Sequence, residues 1–368
     1  MKKSLLLMAG FAAAFVAQGQ QLAEGYITWP ESSQLHTYIK AWNGGNGTIS
    51  VNGQTWEDEN FFVSRVKPRQ RFYNNASQVY ESITQYDAAT NPNGNDKRML
   101  YWVPIGDELR NNIKTNALPD GTFDGDAFTM WNYLDHYGNW TSPHGWVPGN
   151  MADVAHKNGV AVSGVASVPY GGIALEWRTC LDAVGNLDHD AVGKFLYYHG
   201  VDGLGYNSEW SGYAPTSTIA LHDALATYMA TRNPLWENVW YGGTTDGGYI
   251  SFDQGVGSTG NNSGIFRNSS IFLNYNYSVD RLATESVAHA KSTGRNPFYI
   301  YAGHNMQGGE PSNNLNFVKN YQYSIGLWGA HSNNMFWAAR SSKGSAPAVK
   351  QLTYLHQNEQ WFSNGPRN

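Results

Sequence analysis

Asn207 and Glu209 close a short apolar stretch that runs from Gly200 through Val201, Leu204 and Tyr206 to Trp210. The two are two positions apart, so on an extended backbone they project to the same side. An amide and a carboxyl then stand next to each other. The carboxyl can give and take a proton, and the amide can hold a hydrogen-bonding group in place without adding charge. A buried strand that ends in polar residues is the pattern of a β/α barrel, whose reactive groups sit at the C-terminal ends of its strands. The plainer alternative for the same residues is an Asn that closes a turn and a Glu that faces solvent.

The rest of the chain has to position that pair. It has 368 residues. A single barrel takes roughly 250 or more, so one large domain with insertions fits. Lys and Arg total 24 against 29 Asp and Glu, a formal charge of -5, and the basic residues do not cluster. That argues against nucleic acid as a partner. Aromatic residues are abundant, with 14 Trp, 23 Tyr and 15 Phe. They either fill a large core or stack on the C–H faces of sugars. Many stand beside Gly, Asn and Pro, which favours a sugar-binding surface. Cys180 is the single cysteine, so no internal disulfide forms, and the expectation is a buried thiol. Residues 1–19 have the form of an export signal of a bacterial protein: Lys2 and Lys3, an apolar run from Leu5 to Val16, then Ala17-Gln18-Gly19. The run is too short to span a membrane in the mature protein. The expected location is periplasmic or extracellular, without stable membrane insertion.

From Met99 onward, strand-like and helix-like segments alternate, which implies parallel βαβ units. Strands are expected at 99–105, 131–137, 160–168, 201–207, 238–241, 270–275, 298–302 and 325–328. Helices are expected at 151–158, 175–184, 190–199, 217–231, 281–292, 317–323 and 348–362. Gly159 and Gly200 are placed to stop two of the helices. Eight such strands predict an α/β fold, a closed (β/α)8 TIM barrel over 98–368; the loop-like end Asn364-Gly365-Pro366-Arg367-Asn368 leaves open whether the natural chain continues past Asn368. An open doubly wound sheet is the rival, but no Gly-rich phosphate loop follows any strand. Residues 20–97 are irregular, with a possible strand at 61–63 and a helix at 76–86, and are expected to wrap the barrel.

Several segments, taken in order, resemble glycoside hydrolase family 85, endo-β-N-acetylglucosaminidases that cut N-glycans. Trp131-Asn132-Tyr133-Leu134-Asp135 is similar to the family's Trp-Gln-Tyr-Ile-Asp. Ala155-His156-Lys157-Asn158-Gly159-Val160 is close to Ala-His-Arg-Asn-Gly-Val. Pro169-Tyr170-Gly171-Gly172 and Tyr198-His199-Gly200-Val201-Asp202-Gly203 follow. Asn207-Ser208-Glu209 fits Asn-x-Glu, Trp240-Tyr241 with Asp246-Gly247 fits Trp-Tyr-Asp-Ser…Asp-Gly, and Phe272-Leu273-Asn274-Tyr275-Asn276-Tyr277 fits Phe-Leu-Asn-Tyr-x-Trp. Each motif alone is weak, and their common order is the signal.

The resemblance implies a retaining mechanism in which the substrate's own 2-acetamido oxygen attacks the anomeric carbon. A carboxylate nucleophile is then unnecessary. Glu209 would be the acid/base, Asn207 would orient the acetamide, and Tyr241 would bond it through its hydroxyl. Glu209 is expected among aromatics such as Trp210, which would raise its pKa. Asp135, Trp140 and Tyr170 are implied glycan contacts, and Trp140 could equally be a packed residue of the barrel mouth. Asn274 could bond a sugar hydroxyl or loop backbone. His156 is expected to be structural. No cofactor is implied, and no metal-ligand spacing or Gly-x-Ser-x-Gly elbow occurs. The implied partner is an N-glycan or glycoprotein. Three departures stand out: Gly242-Gly243 replaces Asp-Ser, while Phe252 and Tyr277 stand where the family has Trp. Those aromatics flank the acceptor side, so the changes bear on transglycosylation and glycan preference rather than on Asn207 and Glu209. Two other readings fit the same residues: a substrate-assisted hydrolase of another N-acetylglucosamine polymer, such as chitin or peptidoglycan, and an inactive glycan-binding barrel.

Overall fold

The structure is a computed structural model. It describes residues 49–51, 54–56, 72–74, 79–81, 98–103, 131, 134–139, 149–167, 189–198, 200–207, 216–233, 235–249, 251–252, 255–305, 317–318 and 320–329. Two small antiparallel hairpins come first: β1 (Ile49–Val51) with β2 (Gln54–Trp56), and β3 (Phe72–Asn74) with β4 (Val79–Glu81). The helix expected at 76–86 is therefore not formed at its centre. Val79-Tyr80-Glu81 pairs instead with Phe72–Asn74, and a β-branched and an aromatic residue in succession suit a pleated strand.

The barrel follows. Its strands are β5 (Met99–Val103), β6 (His136–Asn139), β7 (Ala161–Ser167), β8 (Gly203–Asn207), β9 (Glu237–Tyr241), β10 (Ser270–Leu273), β11 (Ile300–Asn305) and β12 (Ser324–Trp328). They form one closed parallel sheet in chain order, with β12 pairing back to β5. The helices described are α1 (Gly149–Lys157), α2 (His189–Tyr198), α3 (Thr216–Ala230), α4 (Ser263–Asn268) and α5 (Asp280–Ser292). Four coincide with expected helices to within two residues, while α4 was not foreseen. None is long and apolar enough to cross a membrane. The helices expected at 175–184 and 348–362 and the strand at 61–63 lie outside the described residues, as does Cys180.

Gly159 and Gly200 end α1 and α2 in the same way. Both have positive φ, 73° and 78°. After each, the next residue's N–H reaches back five positions, Val160 to Ala155 O and Val201 to Leu196 O, both at 2.9 Å. This is the glycine-dependent Schellman stop, and it leads the chain directly into β7 and β8.

Strand alternation sorts the core into two parts. Outward residues such as Tyr101, Val162, Leu204, Tyr206, Trp240 and Ile271 pack against the helices. Inward residues Leu100, Trp102, Val239, Tyr241, Phe272 and Tyr301 fill the barrel. Trp102 stacks on Phe272 with centroids 4.9 Å apart. Space for the two rings comes from glycines. A Cβ at Gly138 would stand 1.9 Å from Trp102, and one at Gly326 would stand 2.4 Å from Phe272.

Candidate active site

All strands are parallel, so the barrel has one end of strand starts and one of strand ends. The start end is charged but closed. Glu237, the first residue of β9, receives two hydrogen bonds from Arg98, at 3.0 and 2.6 Å. It also accepts from Tyr301 Oη at 2.9 Å and from Ser270 Oγ. His136 Nδ1 lies 3.6 Å from it, while His136 Nε2 meets Ser163 Oγ at 2.7 Å. Burial opposes both charges, yet the pairing prevails: the Arg98 charge and His136 hold the Glu237 carboxyl well below the usual carboxylate range. Both carboxylate oxygens of Glu237 accept hydrogen bonds within the protein, so it is a structural anion. The sequence gives no sign of this pair, since Arg98 and Glu237 are 139 residues apart.

Asp135 belongs to this end as well. The strand expected at 131–137 begins only at His136, so Asp135 precedes it. It is buried, and its Oδ2 accepts from Met99 N at 2.7 Å. The glycan contact expected of Asp135 is thus corrected: the carboxylate ties β5 to β6 at the end remote from the mouth. His156, on α1, is the structural residue expected of it. Its Nε2 meets Asp202 Oδ2 at 2.7 Å, and Asp202 also accepts from Val162 N and Asn233 Nδ2.

The strand-end side carries the candidate site. Tyr241 is the last residue of β9 and Asn207 the last of β8. Tyr206 is registered against Trp240, so Asn207 and Tyr241 follow that pair at one level on neighbouring strands. Asn274, one residue beyond β10, donates from Nδ2 to Tyr241 Oη at 3.0 Å. Phe252 lies edge-on to the Tyr241 ring at 6.1 Å, and Tyr275 is tilted against it at 6.3 Å. Gly242 passes close to β10, donating to Phe272 O at 2.7 Å. A Cβ there would stand 3.0 Å from that oxygen, so the small residue that departs from the family's Asp suits a close backbone approach.

Tyr277 is a second correction. The resemblance implies a substrate contact among the aromatics that flank the acceptor side, but Tyr277 is completely buried and its hydroxyl lies 2.9 Å from His304 Nε2. Burial raises the Tyr277 hydroxyl pKa and lowers that of His304 to about 3, so the two form a neutral pair that packs beneath Phe317. Glu209, Trp210, Trp140 and Tyr170 lie outside the described residues, as does the side chain of Asn207. The structure therefore brings together Tyr241, Asn274 and Phe252 with the strand end that bears Asn207.

Comparison with one solved structure agrees with the fold. The glycoside hydrolase domain of Endo-D from Streptococcus pneumoniae R6 matches with a TM-score of 0.59 at 18% identity. The match covers 88% of this chain and 48% of that one, so the chain spans about half the length of that structure. A family 18 chitinase from Crocus vernus matches with a TM-score of 0.38 at 12% identity, over 72% of this chain and all of the other. No curated protein matches. The model of glycosyl hydrolase family 85 matches residues 110–368. That is well over half of the chain and takes in the strand ends just described, and the chain belongs to glycosyl hydrolase family 85.

Proposed function

We propose that the protein is a retaining endo-β-N-acetylglucosaminidase that hydrolyses the GlcNAc-β-1,4-GlcNAc core of N-glycans by substrate assistance. Membership of family 85 supports this reading. The observation that carries it is the Asn274–Tyr241 hydrogen bond at the barrel mouth, one strand from Asn207. Asn274 donates to the Tyr241 oxygen and so holds the phenol at the strand end, where the acetamide contact belongs in this reading.

In the first step the 2-acetamido oxygen bonds to the anomeric carbon as the glycosidic C–O bond breaks. Glu209 gives its proton to the departing oxygen. Asn207 accepts from the acetamide N–H and aligns the nucleophile, and Tyr241 steadies the same group. In the second step water attacks the oxazolinium and Glu209 takes the proton back, so configuration is retained. Trp140, Tyr170, Trp210, Phe252 and Asn274 line the glycan's path in this reading. Residues 1–19 direct export, so the substrate is met outside the cytoplasm.

Mass spectrometry of a treated high-mannose glycoprotein tests the proposal. The expected product is a protein with one GlcNAc left on Asn. Release of the whole glycan, or cleavage of chitooligosaccharides alone, would overturn it. Glu209→Gln should lower the rate roughly 10²–10⁴-fold.

A further inference from the structure

A pocket opens beside the mouth, and nothing in the proposed reaction uses it. It encloses about 560 Å³ and lies between the segment after β9 and the segment that leads into α4. Tyr249, Asp246, Ser251, Ser258, Asn261 and Ser263 are among its lining residues. Its volume falls within the roughly 300–1,000 Å³ of small-ligand sites.

The walls are built rather than incidental. Thr245 N donates to Tyr249 O at 2.9 Å, and Thr245 Oγ1 accepts from Tyr249 N at 3.1 Å, which closes a tight loop. Asp246 N donates to Asn261 O at 2.8 Å and joins the two walls. Its carboxylate accepts from Gly264 N and Ile265 N at 2.7 and 2.8 Å. That fixes the carboxylate and leaves each oxygen a further lone pair. Asn261 holds a left-handed backbone, φ 48°, which Asn tolerates better than most residues. Above this polar floor stands Tyr249, 69% exposed. A large aromatic so open to water, over a floor of hydroxyls and one carboxylate, offers a stacking face and many directional partners together.

We propose that this pocket is an accessory carbohydrate site that takes a neutral hexose unit. Tyr249 stacks on the ring's C–H face, and the serines, Asn261 and Asp246 bond its hydroxyls. Among the described lining residues there is no Lys, Arg or His, so a sialylated, sulfated or phosphorylated sugar meets a carboxylate with no compensating cation. The pocket shares its loop with the mouth: Ser251 lines it, and the next residue, Phe252, faces Tyr241 at 6.1 Å. An oligosaccharide held at the mouth can therefore extend a branch into it.

Binding of free α-mannotriose and of sialyllactose, followed by saturation-transfer NMR, tests this on the full chain. The Glu209→Gln variant serves as the parent, so no turnover is involved, and the pocket variants separate binding here from binding at the mouth. Mannotriose should bind the parent, with transfer to ring C–H protons, and sialyllactose should not. Tyr249→Ala removes the platform and Ser258→Trp fills the pocket. Each should weaken mannotriose binding about tenfold or more with an unchanged melting temperature, since both side chains are exposed. No binding to the parent, equal affinity in all three proteins, or equal binding of sialyllactose would overturn the proposal.

Discussion

The division of labour at the mouth can be tested one side chain at a time. Asn207→Ala should lose hydrolysis of the natural substrate yet still accept a preformed oxazoline, because in the proposed mechanism the amide serves only to form that ring. Equal loss of both activities, measured by product release, would refute the assignment. Tyr241→Phe removes the acceptor of the Asn274 bond and, in the proposed mechanism, the hydroxyl that steadies the acetamide. A fall in kcat of about 10-fold to 100-fold is expected, in line with about 1.5–3 kcal/mol for one polar contact realised in the transition state. At the other end, Glu237→Gln leaves Arg98 buried without its counter-charge. The cost should be about 3–5 kcal/mol, read as a lowered denaturation midpoint. The sign of its pH dependence follows from the depressed Glu237 pKa. The stability it contributes is complete above the ordinary carboxylate range and is lost as pH falls below it, so the variant should show a shallower acid limb. Asn207 and Tyr241 fall on the last residues of β8 and β9, where their motifs lead one to expect them, while Glu209 lies outside the described residues. Asp135 and Tyr277 misled for a common reason: a motif gives a residue's neighbours in sequence but not the depth at which its side chain lies.

Elements were legible where one physical signal dominates. Apolar β-branched runs gave most barrel strands, and a glycine after a periodic stretch gave the ends of α1 and α2. Besides the two N-terminal hairpins, a barrel strand and a short helix escaped. The strand β6 (His-Tyr-Gly-Asn) has hardly any β-branched or aliphatic residue and is held by its neighbours on both sides. The helix α4 is only six residues long, too short for periodicity to register. The reason for the glycine in β6 appears only in three dimensions, in the nearness of Trp102. Gly138→Ala should therefore cost about 1–3 kcal/mol by overpacking, measured by chemical denaturation. Adding Trp102→Phe should restore part of that loss, since the two substitutions share one space. Additive effects would show that the ring is not what excludes the methyl group.

At the scale of the molecule, acid sensitivity should begin well above the carboxylate range. His222 and His304 are buried and neutral, with pKa values lowered by burial to about 3. His222 Nδ1 lies 2.7 Å from Tyr206 Oη, a second neutral pair. Unfolding restores an ordinary value near 6.5, so between pH 6.5 and 3 the unfolded chain binds more protons. The contribution of each histidine is complete above pH 6.5 and falls as pH drops toward 3, by about 1.4 kcal/mol per pH unit. His222→Gln should reduce the slope of stability against pH by one proton in that window, and an unchanged slope would count against the buried neutral state. The ion pair bears on the whole molecule in another way. In the ring of eight strands β5 and β9 lie diametrically opposite, so Arg98 and Glu237 act as a crossbar that braces the cylinder from within. Cross-bracing at one rim frees the other: segments that follow β8, β9 and β10 can be exchanged or lengthened without loosening the frame. Retargeting such a scaffold to a new sugar is then a matter of grafting at the open rim, with the closed rim inherited unchanged.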